Sequence, residues 1–241
     1  MPLIVRQFPC LSDNYGFLAR DEATGLTACI DTPDADAILK ELDTLGWSLS
    51  FIFNTHWHQD HAGGNAAVKA ATGATIVGPA EVEKIAPLDR KVGDGDVVDL
   101  GETRFEVIGT GGHTLGHIAY FDAADQIAFV GDTLFSLGCG RLFEGTPEQM
   151  WASLSKLAAL PDETAVYCAH EYTAANARFA LTVDDAPALK ARAEEVFAAR
   201  ARGEPTVPTT IAREKATNPF LRAGDAARFA AVRAAKDVFR G

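Results

Sequence analysis

A dense group of potential metal ligands lies in residues 55–61, which read THWHQDH and follow the apolar run FIF. The chain of 241 residues contains six histidines, and three of them fall in this segment. Such grouping favours shared chemistry over a solvated polar loop. A tight turn can direct His56 and His58 to one side and Asp60 and His61 to the other, which suits two adjacent divalent ions. Imidazole and carboxylate ligands together favour Zn, Fe or Mn over Ca.

Three later residues of ligand type each follow a predicted strand. His113 comes after the strand that ends at Ile108, Asp132 after the apolar strand that ends at Val130, and His170 after the strand through Val166. Loops at strand ends commonly carry chemistry on a rigid scaffold. Each residue alone has a structural alternative, either a capping aspartate or a histidine bound to a backbone carbonyl. Together with residues 55–61 they predict one metal centre.

The order of these residues resembles the metallo-β-lactamase superfamily. The resemblance covers about the first 170 residues and rests on Asp31, the His-x-His-x-Asp-His segment, His113, Asp132 and His170. It implies an αβ/βα sandwich with a two-metal site at one edge. It also implies that His56, His58 and His113 hold one ion, that Asp60, His61 and His170 hold the other, and that Asp132 bridges them. Asp31 would support a ligand without touching an ion, and His117 has no ligand role.

Such a centre predicts hydrolytic chemistry. Two divalent cations can share one water and lower its pKa toward neutrality, so the bridging hydroxide is the nucleophile and no side chain serves as one. The sequence contains neither a G-x-S-x-G elbow nor a phosphate-binding G-x-x-x-x-G-K-[ST] loop. The expected reaction is therefore hydrolysis of an activated acyl or phosphoryl bond. Two divalent ions are expected, with Zn preferred and Fe or Mn as alternatives.

Four further segments are similar to the hydroxyacylglutathione hydrolase (glyoxalase II) branch of that superfamily: residues 138–146, 170–173, 218–222 and 232–237. This resemblance extends over nearly the whole chain. It implies hydrolysis of S-D-lactoylglutathione to D-lactate and glutathione, the second step of methylglyoxal detoxification. It also implies five substrate-binding residues, namely Arg141, Phe143, Tyr172, Arg233 and Lys236. Animal members of the branch have Tyr where this chain has Phe143, so only an apolar contact is expected there. Family members often have Pro-Gly before the third-motif histidine, where this chain has Gly111 and Gly112.

The charges near the end of the chain agree with an anionic substrate. Arg233 and Lys236 are three residues apart on a predicted helix and therefore face the same way. With Arg141 they could form a cationic patch for the carboxylates of glutathione. The alternative for Arg233 and Lys236 is a solvated helix face. Tyr172 either offers its hydroxyl to the substrate or is a partly buried tyrosine at a strand end.

These residues need a scaffold, and the chain predicts a mixed α/β one. Short apolar segments with turn residues on either side indicate nine strands, at residues 3–8, 15–20, 27–31, 51–54, 75–77, 104–108, 118–121, 126–130 and 165–169. Helical spacing predicts helices near 38–45, 64–71 and 147–160, then at 185–202, 209–216 and 225–239. No strand is expected from Glu171 onward. We therefore predict a catalytic domain at residues 1–172 and a small all-helical substrate-binding domain at 173–241.

Composition limits the partners and the compartment. The net charge of −11 argues against nucleic acid or an anionic membrane as the main partner and leaves a small molecule. Four scattered cysteines without a C-x-x-C pair suit free thiols in a reducing cytosol. No signal peptide and no apolar run of membrane-spanning length are expected. The protein is predicted to be a cytoplasmic monomer.

Four alternatives remain at this stage. The main one is a mononuclear-iron persulfide (sulfur) dioxygenase on the same fold, which would use two histidines and one aspartate. A diiron oxygen reductase usually has Glu where this chain has His58. A phosphodiesterase or nuclease would fit poorly with the acidic charge, and a non-catalytic metal-binding scaffold is the last. The set of seven ligands and the helical C-terminal segment favour the hydrolase.

Overall fold

The computed structural model describes residues 2–241 and has the mixed α/β character that the sequence predicts. The chain divides into two compact units. The first contains the residues up to Gly109 together with Gly116–Gly131, and the second contains Thr110–Leu115 and Asp132–Gly241. Within residues 2–241 no helix is long and apolar enough to cross a bilayer.

The first unit contains ten strands: β1 Leu3–Cys10, β2 Asn14–Asp21, β3 Thr27–Ile30, β4 Phe51–Phe53, β5 Thr75–Gly78, β6 Arg90–Lys91, β7 Val97–Leu100, β8 Thr103–Gly109, β9 Ile118–Asp122 and β10 Ile127–Gly131. Strands β1 to β6 form one sheet in chain order, antiparallel from β1 to β3 and parallel from β3 to β6. Strands β7 to β10 follow one another antiparallel in a second sheet. The strands that the sequence analysis predicted in this unit are confirmed within about two residues. It missed β6, which is only two residues long, and β7.

Aromatic side chains fill the core of the first unit. The ring of Phe53 on β4 stacks on Tyr120 at 5.4 Å and meets Phe105 edge-on at 6.0 Å. Phe17 on β2 contacts Phe129 on β10 at 5.7 Å. Pairs of this kind contribute about 0.5–1.5 kcal/mol beyond the area that they bury. The Tyr120 hydroxyl donates a hydrogen bond to the Asn54 carbonyl at 2.9 Å, so the core fixes the end of β4, where the histidine segment begins.

Three α-helices and one 3₁₀ helix complete the described part of the first unit: α1 Ala35–Leu45, α2 Gln59–Ala62, α3 Asn65–Thr72 and the 3₁₀ helix Ala80–Lys84. The Asp34 side chain caps α1 by accepting from the Ala37 N–H, and the helix ends at Gly46, whose φ of 64° is left-handed. Ile38 and Leu42 face the core, as their spacing predicts.

The second unit is mainly helical, with α4 Pro147–Ala158, α5 Thr173–Val183, α6 Pro187–Ala201, α7 Ile211–Thr217 and α8 Ala226–Val238. Its strands are β11 Leu134–Phe135, β12 Gly138–Cys139, β13 Ala165–Cys168 and β14 Thr209–Thr210. The predicted absence of strands after Glu171 is wrong, because β14 pairs with β13 antiparallel before α7 begins. Thr209 and Thr210 are β-branched and suit a strand. Helix α5 was not predicted, because alanine-rich residues 173–183 show little apolar periodicity.

Candidate metal and substrate sites

The histidine segment of the first unit is held at both of its ends. The His61 carbonyl accepts hydrogen bonds from the Thr32 N–H at 2.7 Å and from Asn54 Nδ2 at 3.2 Å. The Thr55 carbonyl accepts from the Ile118 N–H at 3.0 Å. These bonds connect the segment to three separate parts of the unit. The four ligand-type side chains of residues 56–61 therefore leave a fixed backbone.

The Asp31 side chain contacts Thr55 and His61 of this segment. Its Oδ1 accepts from the Thr55 N–H at 2.7 Å, and its Oδ2 accepts from Thr55 Oγ1 at 2.7 Å and lies 2.8 Å from His61 Nδ1. Its backbone φ of 57° is in the left-handed region, which few residues with side chains adopt. Although Asp31, His56 and His61 bring ligand atoms within 4.8 Å of one another, the hydrogen bonds occupy the Asp31 oxygens. Asp31 is therefore placed to orient His61.

The histidine nitrogens in the first unit suit a divalent cation. A Nδ1–H donated to Asp31 leaves the Nε2 lone pair of His61 for a ligand bond. Thr55 Oγ1 donates to Asp31, so it accepts from His56 Nδ1 at 3.0 Å and leaves His56 Nε2 as the ligand atom. His56 Nε2 lies 3.1 Å from His58 Nδ1, and Asp60 Oδ2 lies 3.6 Å from His61 Nε2. The His56–His58 pair and the Asp60–His61 pair are thus two candidate sets of metal ligands.

His117 is buried and has its ring 4.7 Å from that of His56. It therefore packs against a candidate ligand.

The second unit brings His113, Asp132 and His170 together. Asp132 Oδ2 lies 3.3 Å from His113 Nε2, and Asp132 Oδ1 lies 3.4 Å from His170 Nε2. His113 Nδ1 is 2.9 Å from the Arg141 carbonyl oxygen, to which it donates, so its Nε2 is the ligand atom. Each oxygen of Asp132 therefore faces a different histidine, which is the arrangement that a bridging carboxylate requires.

A cavity of about 400 Å³ in the second unit adjoins two of these ligands. Its lining is His113, Asp132, Phe135, Cys139, Arg141, Phe143, Tyr172, Ala175, Asn176, Arg233 and Lys236. All five residues that the sequence analysis predicted to bind substrate are in this lining. Burial raises the pKa of Cys139 to about 11, so its thiol is neutral at physiological pH. All four cysteines of the chain are buried free thiols.

Two aromatic residues of the lining contact the histidines. The Tyr172 ring stacks on His170 with centroids 4.6 Å apart and the planes 3° from parallel. Phe143 meets the His113 ring nearly perpendicularly at 5.2 Å while remaining 62% exposed. Tyr172 therefore orients a candidate ligand as well as lining the cavity, and Phe143 presents an apolar surface at its mouth.

The cationic residues of the lining differ in how they are bound. Arg233 is only 4% exposed, donates to the Cys139 carbonyl at 2.9 Å and pairs with Asp237 at 2.8 Å. Lys236 is half-buried and donates to the Ala175 carbonyl at 3.2 Å. Burial, together with Arg233, Arg178 and Arg141, lowers the pKa of Lys236 to about 8. Arg233 thus serves mainly to hold the cavity wall, whereas Lys236 and the exposed Arg141 are better placed to meet an anion.

Several residues around these sites were not predicted. Asn14 is buried, and its Nδ2 donates to Asp60 Oδ2 at 3.2 Å. Thr55 relays the Asp31 hydrogen bond to His56, and Asn176 and Cys139 line the cavity. Of these residues, only Thr55 could have been predicted from the sequence, because it directly precedes the first histidine of the segment. The others reach their positions through tertiary contacts that no local pattern records.

Two family models match consecutive parts of the chain. The metallo-beta-lactamase superfamily model matches residues 28–170, and the model of the hydroxyacylglutathione hydrolase C-terminus matches residues 171–239. The predicted fold class, an αβ/βα metallo-β-lactamase-type sandwich with a helical C-terminal region, is thereby confirmed.

Curated relatives match along nearly the whole chain. A hydroxyacylglutathione hydrolase of Maricaulis maris is 62% identical over 227 residues, which cover 93% of this chain and 89% of the relative. A hydroxyacylglutathione hydrolase of Erythrobacter litoralis is 56% identical over 250 residues, covering 98% of this chain and all of the relative.

Solved structures show the same architecture. ETHE1 from Myxococcus xanthus superposes with a TM-score of 0.75 at 30% identity and covers 98% of this chain and 92% of its own. The protein TTHA1623, solved in a di-iron-bound form, superposes with a TM-score of 0.66 at 25% identity over 90% of this chain and 100% of its own.

Proposed function

Since the chain belongs to the hydroxyacylglutathione hydrolase family within the metallo-β-lactamase superfamily, we propose that it hydrolyses S-D-lactoylglutathione to D-lactate and glutathione. The protein is then a thioester hydrolase of methylglyoxal detoxification. The observation that carries this proposal is the cavity of the second unit, because candidate ligands and cations line the same space. The candidate metal ligands alone would not identify the substrate. Cationic side chains beside them favour an anionic thioester.

The donor set supports a site for two divalent ions. By the family pattern, His56, His58 and His113 would hold one ion, Asp60, His61 and His170 would hold the other, and Asp132 would be shared between them. The paired donors of the first unit and the two-sided position of Asp132 support this assignment. Zn is proposed first, with Fe or Mn as alternatives, because nitrogen and oxygen ligands accept all three. When bound, the ions supply Lewis acidity for the carbonyl and lower the pKa of a shared water.

The side chains of the protein orient the candidate metal ligands and bind the substrate. Asp31 keeps His61 in the tautomer that presents Nε2, and the Arg141 carbonyl does the same for His113. Arg141 and Lys236 attract the glutathione carboxylates, and Tyr172 offers its hydroxyl and the face that lies away from His170.

The leaving group needs no dedicated acid. A thiol has a reference pKa of about 8.5 and can depart as the thiolate. Cys139 does not compete as a nucleophile, because burial raises its pKa to about 11.

The persulfide dioxygenase alternative is less well supported. The curated relatives at 62% and 56% identity are named hydroxyacylglutathione hydrolases, and the C-terminal model belongs to the same family. We further propose that the protein is a monomer and that it acts in the cytoplasm; its buried free thiols support the second of these.

The test is thioester turnover and metal analysis on one sample of the purified protein. We expect hydrolysis of S-D-lactoylglutathione that is lost on chelation and restored by a divalent metal. Oxygen uptake with glutathione persulfide, without thioester hydrolysis, would establish the dioxygenase instead. Metal binding without either activity would leave a non-catalytic scaffold.

A further inference from the structure

The β11–β12 hairpin begins two residues after Asp132 and contributes Phe135 and Cys139 to the cavity. Its turn contains Leu137, whose φ of 58° is in the left-handed region that residues with side chains rarely adopt. A strained turn persists only where its surroundings determine its conformation. What surrounds this hairpin therefore determines the wall of the cavity.

Polar side chains from the helical part of the second unit bind the hairpin backbone and its one hydroxyl. Asn176 Nδ2 donates to the Ser136 carbonyl at 3.1 Å, and Arg192 Nη2 donates to Ser136 Oγ at 3.0 Å. Glu214 Oε2 accepts from the Leu137 N–H at 2.9 Å. Asn218 Nδ2 donates to the Phe135 carbonyl at 3.2 Å and the Gly138 carbonyl at 2.9 Å. We call these four side chains, Asn176, Arg192, Glu214 and Asn218, the hairpin clamp.

Glu214 and Asn218 form the centre of the hairpin clamp. Glu214 is fully buried and accepts from Arg192, from Thr209 Oγ1 at 2.6 Å and from Asn218 Nδ2 at 2.9 Å. A buried carboxylate is costly unless paired, so its partners are restricted to a narrow set of positions. Asn218 is fixed in turn, because its Oδ1 accepts from the Phe220 N–H at 2.9 Å.

The hairpin also approaches Asp132 closely. The Gly140 N–H donates to the Thr133 carbonyl at 3.2 Å, and a Cβ at Gly140 would collide with the Asp132 carbonyl oxygen. A Cβ at Gly138 would likewise collide with the Asn176 amide. The backbone therefore packs too tightly between the hairpin clamp and Asp132 for the hairpin to shift alone.

We propose that Asn218 and Glu214 are positioning residues, which act through the β11–β12 hairpin on the Asp132 carboxylate and on the cavity wall. This inference rests on the proposed function for its kinetic part. It gives the helices of the second unit a role in holding a ligand, in addition to the substrate contact proposed for Lys236. A purely structural role would stabilise the unit without changing the geometry at Asp132.

The test compares Asn218→Asp with Thr210→Ala in the metal-loaded protein. Asn218→Asp keeps the acceptor for Phe220 and replaces the donor that faces the Phe135 and Gly138 carbonyls and the Glu214 carboxylate. Thr210→Ala removes the N-cap of α7, which accepts from the Arg213 N–H, without touching the hairpin. It is therefore a matched control for destabilisation of the same helix.

For Asn218→Asp we expect kcat to fall at least about tenfold while KM changes by less than about threefold. We also expect hydrogen exchange at the Leu137 amide to accelerate by at least about tenfold. For Thr210→Ala we expect Tm to fall while kcat and Leu137 exchange stay within about twofold of wild type. If Asn218→Asp does not fold, Asn218→Ala replaces it. We then expect the fall in kcat and the faster exchange at Leu137 in the same directions but smaller.

Equal kcat and equal exchange in the Asn218 variant and the control would overturn the positioning role. Absence of thioester turnover in the wild type would instead refute the proposed function. The exchange comparison would then still decide whether the hairpin clamp holds the hairpin.

Discussion

The candidate ligands of the two units are held in different ways. In the first unit four of them lie in one segment, and Asp31 with backbone bonds at each end fixes them. In the second unit His113, Asp132 and His170 come from three distant parts of the chain, and helical side chains hold the backbone beside Asp132. In the first arrangement the ligands are neighbours in the chain, so we expect fewer remote substitutions to reach them. The second depends on tertiary packing, so substitutions in remote helices can reach it.

The largest expected effect is at the residue where the histidines of the second unit meet. Asp132→Ala should abolish both turnover and the binding of two ions, because each carboxylate oxygen faces a different histidine. The measurement is thioester turnover with metal content per chain. Asp122→Asn is the control, since Asp122 is a buried aspartate on β9 that accepts from the Ala124 and Asp125 N–H groups and from no candidate ligand, and it should retain both. A normal rate and two tightly held ions in Asp132→Ala would defeat the assignment.

A smaller loss of metal affinity is expected for a substitution of Asp31, which contacts the candidate ligand His61 in the first unit. Asp31→Asn keeps the size of the side chain but weakens its hold on His61 and Thr55. Loss of such a partner typically lowers metal affinity by about 10–100-fold. Competition with a chelator measures this affinity. Wild-type affinity in Asp31→Asn would mean that the backbone bonds alone position His61.

Substitutions of the cationic residues in the cavity should change the KM for substrate without changing metal binding. The double variant Arg233→Ala with Lys236→Ala should raise KM for the glutathione thioester more than it lowers kcat. Lys236→Met alone should raise KM by about tenfold, the size of one charge-assisted hydrogen bond. A short neutral thioester provides the control and should be affected little. Unchanged kinetics in the double variant would remove the cationic patch from the account.

The smallest expected effect is a pH dependence. Burial and neighbouring arginines lower the pKa of Lys236 to about 8, so its charge is present near pH 7 and is lost as the pH rises through 8. KM for the anionic substrate should therefore increase severalfold between pH 7 and 9. In Lys236→Arg the charge persists over this range, so the increase should disappear. A pH profile that is identical in the two proteins would show that Lys236 does not carry the dependence.

The sequence predicts the local part of this molecule better than the remote part. The histidine segment, helix α1 and the carboxyl ends of β8 and β10 follow short-range rules; the two strand ends are predicted at Ile108 and Val130 and lie one residue later. Residues 173–183 have no clear apolar face, and two-residue strands such as β14 exist only through their partners.

The candidate site divides in the same way. Ligand types and spacing were visible along the chain, whereas Asn14 and the hairpin clamp depend on contacts between residues far apart in sequence. Arg233 illustrates the limit. Its helical spacing with Lys236 predicts a cation that faces an anionic substrate, whereas the structure buries the side chain and has it donate to the Cys139 carbonyl.

The most direct test of the account is a calorimetric titration of the metal-stripped protein with Zn²⁺, with turnover measured after each addition. Two ions per chain are expected to bind, with full activity only after the second has bound. Saturation at one ion per chain with full activity would contradict it.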